Sequence, residues 1–156
     1  MFNLYTDGAV SKQPKDSGGP GGWAVAVYKR SGKYDTLGEY SGCFSGKEKY
    51  TTIGRMELLA LVVALEWLTK HNLEGTIYSD SEYCVSGYTK WLKGWKAKGW
   101  KKSDGKPPEH VDLWKRADAC KISPVTKVKG HSDNEGNNKA DAIACVERDE
   151  AIMMDF

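Results

Sequence analysis

Four acidic residues, widely separated along the chain, are of the type that could do chemistry. Asp7 closes an alternating apolar and polar segment at residues 2–7, and Asp80 closes a short β-favouring run at residues 76–80. Aspartate is disfavoured within strands, and ligands of open α/β sheets bind beyond the carboxyl ends of the strands. The two carboxylates could therefore converge at one edge of a sheet and bind a shared metal ion.

Each of these acids also has an ordinary structural explanation. Asp7 could lie in a turn, and Asp80 could cap the helix that follows it. Glu57 could be a first-turn acid stabilised by the helix dipole, or a metal ligand on an otherwise apolar helix. Asp141, on the last predicted helix, would by default lie on a solvated face. Taken singly, none of the four establishes a site.

The elements that must position these acids alternate between strands and helices. Three β-favouring segments, at residues 2–7, 22–28 and 34–43, predict an antiparallel meander. Residues 55–70 are mostly strong helix formers with few charges, which predicts a largely buried helix. We further predict a strand at 76–80, helical stretches near 81–98 and 111–120, a strand at 125–129 and a helix at 134–148. This order predicts a mixed sheet covered by helices on both faces.

Length and composition indicate one globular domain. The chain has 156 residues, 40% of them hydrophobic, and its net charge of +2 favours no class of partner. The N-terminus lacks a signal-peptide pattern, and the longest apolar run, residues 58–65, is far shorter than the roughly 20 residues that cross a bilayer. We expect a soluble protein. Widely spaced cysteines predict reduced, mostly buried thiols in a cytosolic protein; they are Cys43, Cys84, Cys120 and Cys145.

Lysines and tryptophans interleave in the segment 90–106, which contains a single acid, Asp104. The lysines are Lys90, Lys93, Lys96, Lys98, Lys101, Lys102 and Lys106. Lysines neutralise phosphates without reading bases, so the segment is a candidate nucleic-acid surface, with a merely solvated lysine face as the alternative. Trp91 and Trp95 are four residues apart, and we expect them to be part core and part platform.

Several motifs together resemble type 1 ribonuclease H. They are Tyr-Thr-Asp-Gly at 5–8, Thr-Thr at 51–52 with Arg-Met-Glu-Leu at 55–58, Asp-Ser at 80–81, and Gly-His at 130–131 with Asp141 ten residues on. The glycine-rich loop 18–22, the segment 91–100 and Val-Asp-Leu-Trp at 111–114 extend the resemblance over nearly the whole chain. Each motif is weak alone, but their order and spacing are specific.

The resemblance implies an α/β fold with a ribonuclease H-like five-stranded mixed sheet. Three strands would be antiparallel and two parallel, with helices flanking both faces. The domain would span residues 1–150, and residues 151–156 would form a short C-terminal tail. The implied protein is a cytoplasmic monomer whose partner is an RNA/DNA hybrid.

The resemblance also implies a metal-dependent endonuclease. It would hydrolyse the RNA strand of RNA/DNA hybrids, independently of sequence, and leave 5′-phosphate and 3′-hydroxyl ends. Asp7, Glu57, Asp80 and Asp141 would be catalytic residues that bind two Mg²⁺ ions, with Mn²⁺ as a possible substitute. His131 would be an auxiliary catalytic residue that assists proton transfer or product release, although it could also be a solvated loop histidine. Repulsion among the carboxylates predicts that activity falls at acidic pH.

By the same resemblance, the basic segment would hold the DNA strand of the hybrid. The candidate contacts are Trp91, Lys93, Lys96, Lys98, Lys101, Lys102, Thr52 and Asn137, together with the glycine-rich loop. Ile53 and Gly54 replace asparagines of many relatives, and Glu82 and Ser17 replace amides of some. These departures concern the hybrid contacts and cleavage preference rather than the four acids.

Three other interpretations stay open at this point. Another nuclease of the same superfamily, such as a transposase-like or junction-cutting enzyme, would not explain the basic segment. A hybrid-binding module with weak or no catalysis would not need all four acids and His131. A nucleotide-binding fold is disfavoured because residues 19–22 lead into a strand and no G-x-x-x-x-G-K-[ST] motif occurs. His71 and His110 have no comparable context and are expected to be structural or surface residues.

Overall fold

Five strands form one mixed sheet in the order β3-β2-β1-β4-β5. The structure is a computed structural model that describes residues 1–11, 18–32, 34–130 and 133–154. The strands are β1 (Phe2–Val10), β2 (Gly19–Lys29), β3 (Glu39–Thr51), β4 (Gly75–Ser79) and β5 (Val125–Lys127). β1, β2 and β3 pair antiparallel, whereas β4 pairs parallel with both β1 and β5. The predicted mixed sheet of three antiparallel and two parallel strands is confirmed.

Helices cover both faces of this sheet, as predicted. They are α1 (Ile53–Lys70), α2 (Glu82–Ser86), α3 (Leu92–Ala97), α4 (Val111–Asp118) and α5 (Glu135–Met153), and a π-helical turn, Gly87–Trp91, joins α2 to α3. Along β1, Leu4 packs in the core beside α1 and α4, whereas Tyr5 packs with Ala140 of α5. This follows from the alternation of side chains along a strand.

Helix α1 is the centre of the larger core. It buries eight side chains: Met56, Leu58, Ala60, Leu61, Val62, Ala64, Leu65 and Leu68. Full burial of an aliphatic side chain contributes about 1.5–3 kcal/mol, so this one helix supplies much of the apolar stabilisation. Thr52 caps α1, because its side chain accepts a hydrogen bond from the Arg55 nitrogen at 3.3 Å. The prediction of a largely buried helix is confirmed.

The first and third strands differ most from their predicted bounds. β1 continues past Asp7 to Val10, because β1 pairs with β2 along its full length and Asp7 lies opposite Ala24. The third strand covers Glu39–Thr51 instead of residues 34–43. Asp35 explains that shift: its carboxylate accepts hydrogen bonds from Ser31 and from the Gly38 nitrogen, which closes a loop before the strand begins.

The prediction of mostly buried thiols was wrong. All four cysteines are free, but only Cys84 is buried, and Cys43 is exposed on the edge strand β3. α5 continues beyond the predicted residue 148 to Met153, with Ala151 fully buried. A domain boundary after residue 150 stays a prediction. None of the helices in the described ranges is long and apolar enough to span a bilayer.

Candidate active site

Carboxylates from four separate elements meet at one edge of the sheet. Asp7 on β1, Glu57 on α1 and Asp80 after β4 each offer an oxygen, and these three atoms lie within 4.8 Å of one another. Asp141 on α5 lies close enough for its charge to help raise the pKa of Asp7. The structure therefore brings Asp7, Glu57 and Asp80 together with Asp141 nearby, and the shared metal-binding role of the four acids stays a prediction.

The parallel pairing of β1 and β4 brings Asp7 and Asp80 together. Thr6 lies opposite Ser79 in the register, so the two aspartates follow neighbouring positions of adjacent strands. Asp80 does not cap the helix that follows. Ser81 does, because its side-chain oxygen accepts a hydrogen bond from the Cys84 nitrogen at 3.2 Å. The turn explanation of Asp7 fails as well, since Asp7 lies inside β1.

Glu57 reaches the cluster because β1 and α1 approach closely at Gly8. A Cβ atom at Gly8 would lie 2.6 Å from the Glu57 nitrogen and 2.7 Å from the Met56 carbonyl carbon. Such distances are too short for real side chains, so a glycine is required here. The first turn of α1 contains no acid, which removes the helix-dipole explanation of Glu57.

Burial and neighbouring charges disfavour the ionised forms of Asp7 and Glu57. Burial raises the pKa of Asp7 to about 8, with the charges of Asp80 and Asp141 adding to the effect and a 2.9 Å hydrogen bond from the Gly8 nitrogen opposing it. Burial, then the charges of Asp7 and Asp80, raise the pKa of Glu57 to about 9. Like charges in one site disfavour ionisation. The pKa values of Asp7 and Glu57 are therefore raised first by burial and then by the other carboxylates in the same small volume.

The donor set fits a hard divalent cation. Carboxylate oxygens are the protein ligands that Mg²⁺ prefers. The Oε2 atom of Glu57 is buried and has no hydrogen-bond partner in the described part of the chain. A buried acceptor without a partner is costly, and a bound cation would satisfy it. The cluster therefore has the ligand types of a metal site and a buried oxygen atom that a metal ion would coordinate.

The chain after β5 returns to the same cluster. A Cβ atom at Gly130 would lie 2.8 Å from Asp80 Oδ2, so a side chain here would displace that carboxylate. His131 follows immediately, but it and Ser132 lie outside the described residues, as does Ser17. The role predicted for His131 stays a prediction.

Cys145 is a neighbour of the cluster that the sequence reasoning missed. Its Sγ atom lies 3.9 Å from Asp141 Oδ1, and both residues are on α5. Residues four apart are neighbours on a helix surface. The spacing between positions 141 and 145 was therefore a usable signal.

The basic segment forms an exposed surface, and we call residues 90–106 the basic surface. All seven of its lysines are exposed, although Lys96 pairs with Asp118 at 3.0 Å and Lys102 with Asp104 at 3.7 Å. Trp95 packs edge-on against the buried Trp114, with ring centroids 5.4 Å apart. Trp91 lies on the solvent side of Trp95 and is 44% exposed. Trp95 is half-buried against the core and Trp91 is exposed, and the expected role of the pair as a platform stays a prediction.

The two remaining candidate contacts, Thr52 and Asn137, differ in their exposure to solvent. Thr52 is exposed at the start of α1, next to Ile53, which is 46% exposed. Asn137 is only 2% exposed, and its Oδ1 atom has no hydrogen-bond partner among the described residues. The structure therefore leaves Thr52 open to a nucleic-acid strand and keeps Asn137 covered.

His110 is held by Arg55. The Arg55 guanidinium bonds both carboxylate oxygens of Asp112, at 3.2 and 2.8 Å, and lies 3.5 Å from His110 Nδ1. Burial lowers the pKa of His110. These contacts join the start of α1 to the start of α4, which agrees with the structural role expected for His110.

Proteins of known structure share this fold. LC9-RNase H1, described as a type 1 RNase H with the type 2 active-site motif, superposes with a TM-score of 0.79 at 24% identity, covering 96% of this chain and 72% of that chain. A foamy viral protease-reverse transcriptase in complex with RNA/DNA hybrid gives a TM-score of 0.79 at 19% identity, covering 94% of this chain but only 20% of that chain.

Sequence comparison identifies the family. A ribonuclease H from a Cyanothece species is 44% identical over 147 residues, covering 92% of this chain and 87% of the relative. A ribonuclease H from Paracidovorax citrulli is 42% identical over 154 residues, covering 96% of this chain and 95% of the relative. The family model described as RNase H matches residues 1–148. The chain therefore belongs to the ribonuclease H family.

Proposed function

We propose that this protein is a metal-dependent endonuclease that hydrolyses the RNA strand of RNA/DNA hybrids without sequence preference. The single observation that carries the proposal is the cluster of Asp7, Glu57 and Asp80, joined by Asp141, at one edge of the sheet. Family membership supports the nuclease class. A solved relative of the same fold that was determined with an RNA/DNA hybrid supports the choice of substrate.

Asp7, Glu57, Asp80 and Asp141 would together hold two Mg²⁺ ions, for which Mn²⁺ could substitute. When bound, such ions supply an activated water and neutralise charge on the leaving oxygen of the phosphodiester. Asp7 and Glu57 must lose their protons to act as ligands, since burial raises the pKa of both groups. The cluster would thus exchange protons for metal on binding.

The reaction would replace one P–O bond by another. A water oxygen would attack phosphorus as the water gives up a proton, the bond from phosphorus to the 3′ oxygen would break, and the leaving 3′ oxygen would take up a proton. The products would carry 5′-phosphate and 3′-hydroxyl ends, because the bond that breaks is the one between phosphorus and the 3′ oxygen. His131 would deliver the proton or assist product release.

The basic surface would hold the DNA strand. Trp91 is exposed there, and its candidate lysine contacts are Lys93, Lys96, Lys98, Lys101 and Lys102. Thr52 and Asn137 are the other candidate contacts, and Asn137 would need its covering chain to move. Lysines bind phosphates without reading bases, and RNA differs from DNA in its 2′-hydroxyls and duplex shape. Selectivity for hybrids without sequence preference follows from these contacts.

One assay tests the proposal. Labelled RNA/DNA hybrid, DNA duplex and RNA duplex are incubated separately with the protein, with and without Mg²⁺. We expect cleavage of the RNA strand of the hybrid alone, only with Mg²⁺, and 5′-phosphate ends on the products. Equal cleavage of all three duplexes would indicate a different nuclease of the same superfamily. Binding of the hybrid without cleavage would indicate a binding module.

A matched pair of variants tests the site itself. Asp80→Asn removes one carboxylate of the cluster while keeping the shape of the side chain, and should lower kcat at least a hundredfold. Asp149→Asn makes the same change at an exposed acid of α5 and should retain full activity. A fully active Asp80→Asn protein contradicts the assignment. Gel filtration and cell fractionation would test the predicted monomeric state and cytoplasmic location.

A further inference from the structure

Gly136, in the first turn of α5, lies directly on the ring of Tyr5. A Cβ atom at Gly136 would lie 2.3, 2.4 and 2.5 Å from the Cδ2, Cε2 and Cγ atoms of Tyr5. Carbon atoms in ordinary contact are about 3.5–4 Å apart. Gly136 does not have a positive φ angle, so the backbone would accept alanine, and the nearest obstacle to a side chain is the Tyr5 ring.

The Tyr5 ring has little room to move away. Tyr5 is 5% exposed, and Tyr78 stacks against it with ring centroids 4.7 Å apart and planes at 13°. Tyr28, itself 1% exposed, meets the same ring edge-on at 5.6 Å. Interiors are close-packed and transmit strain, so a side chain at position 136 would displace the helix rather than the ring.

This contact sets the position of Asp141 along β1. Tyr5 and Asp7 are two residues apart on the strand and share one face, which separates them by about 7 Å. Gly136 and Asp141 are five residues apart on α5, which separates them by about 7.5 Å along the helix axis. When Gly136 lies on Tyr5, Asp141 is therefore level with Asp7, close enough for its charge to act on the Asp7 carboxyl group.

A second glycine secures the same helix farther along. A Cβ atom at Gly22 of β2 would lie 2.5 Å from the Ala144 carbonyl oxygen and 2.6 Å from the Arg148 nitrogen. α5 therefore approaches the sheet too closely for a side chain at two glycines, one on each side of Asp141. These two close approaches limit both the translation and the tilt of the helix.

We propose that Gly136, by packing on Tyr5, is a positioning residue that sets the distance of Asp141 from the other three carboxylates and so sets the metal affinity of the cluster. This inference rests on the proposed function, because it assumes that the four carboxylates bind Mg²⁺. An alanine at position 136 would lift the start of α5 by about 1 Å, and displacements of that size can lower catalytic rates by about a hundredfold.

The experiment measures Mg²⁺ binding by calorimetry in the absence of nucleic acid, kcat and KM on the hybrid, and thermal unfolding. Gly136→Ala is expected to weaken Mg²⁺ binding and lower kcat at least tenfold each, while KM for the hybrid changes less than threefold. Gly32→Ala is the matched control, because a Cβ atom there would meet no atom within 4 Å. We expect this control to behave as the parent.

The same substitution in a Tyr5→Ala background separates positioning from general damage. Without the ring, Gly136→Ala should change Mg²⁺ affinity less than threefold relative to Tyr5→Ala alone. Should Gly136→Ala fail to fold, the double variant decides: Mg²⁺ binding close to that of Tyr5→Ala supports the proposal, and its loss in a folded double variant overturns it.

Two failures are distinguishable. A parent protein that neither binds Mg²⁺ nor cleaves the hybrid would contradict the proposed function itself. A parent that does both, beside a folded Gly136→Ala variant with parental Mg²⁺ affinity and kcat, would overturn only the positioning role of Gly136.

Discussion

Gly8 and Glu57 meet backbone to backbone, with room for only a hydrogen atom between them. A Cβ atom at Gly8 would lie 2.6 Å from the Glu57 nitrogen. β1 and α1 therefore touch where Gly8, the residue after Asp7, meets the backbone of Glu57. This contact brings the buried carboxyl group of Asp7 and the half-buried carboxyl group of Glu57 into the same small volume.

Gly8→Ala should disturb both the packing and the site. Overpacking of this kind costs about 1–3 kcal/mol of the free energy of unfolding, and the retreat of α1 from β1 should weaken Mg²⁺ binding at least tenfold. Urea unfolding and calorimetry measure the two effects. Gly94→Ala is the control for stability, since a Cβ atom there would meet no atom within 4 Å. Parental Mg²⁺ affinity in Gly8→Ala would show that the close approach does not position Glu57.

Mg²⁺ affinity should depend on pH between about 6 and 9. The pKa values of Asp7 and Glu57, raised to about 8 and about 9, mean that both groups hold protons at neutral pH in the metal-free protein. Metal binding must release these protons, so affinity should fall about tenfold per pH unit for each proton released as the pH is lowered. Calorimetry in buffers of different ionisation enthalpy counts the protons. Activity should fall in parallel, and a flat profile down to pH 4 contradicts this prediction.

The metal-free protein should lose stability as the pH rises. The pKa values of Asp7 and Glu57 are higher in the folded than in the unfolded chain, where carboxyl groups titrate near pH 4. Their contribution to stability is therefore fully present below about pH 4 and is lost as the pH rises through 8 to 9. Thermal unfolding in a chelator between pH 5 and 9 measures the loss.

Asp7→Asn should separate stability from activity. The amide cannot ionise, so at pH 9 without metal the free energy of unfolding of this variant should exceed that of the parent by about 1–3 kcal/mol. Its stability should also fall less steeply with rising pH. The same variant should lose hybrid cleavage. Unfolding of Asp7→Asn with the pH slope of the parent would show that the pKa of Asp7 is not raised in the folded protein.

Hybrid affinity should depend on salt through the exposed lysines of the basic surface. Replacing Lys98 and Lys101 by alanine should lower the slope of log K against log salt by about 1.8, or roughly 0.9 for each phosphate that a lysine no longer neutralises. Fluorescence anisotropy between 50 and 300 mM salt measures the slope. Lys70→Ala, at the end of α1, removes an exposed lysine outside the basic surface and should leave the slope unchanged.

Local patterns in the sequence were enough to predict much of the fold. The helix formers of residues 55–70 predict a helix that the structure places at Ile53–Lys70, because a long apolar segment has few alternatives. The order of strands and helices likewise predicts a mixed sheet covered on both faces. The four acids were identified from motif order, which is itself a property of the linear chain.

Pairing between distant segments decided what the sequence could not. Asp7 was expected to end β1, but β2 pairs with β1 beyond it and extends the strand to Val10. Cys43 was expected to be buried and is exposed, since β3 is an edge strand. Strand propensity does not report which strand will lie at an edge, because that depends on partners far away in the chain.

The chain by itself determined which residues are available for chemistry, namely Asp7, Glu57, Asp80 and Asp141, and the elements that carry them. Only the tertiary structure decided how near they lie to one another, since that distance depends on contacts such as Gly8 with Glu57 and Gly136 with Tyr5. The reason is physical: residue types follow from local sequence, whereas a separation of a few ångströms is set by the close packing of segments that meet only in the fold.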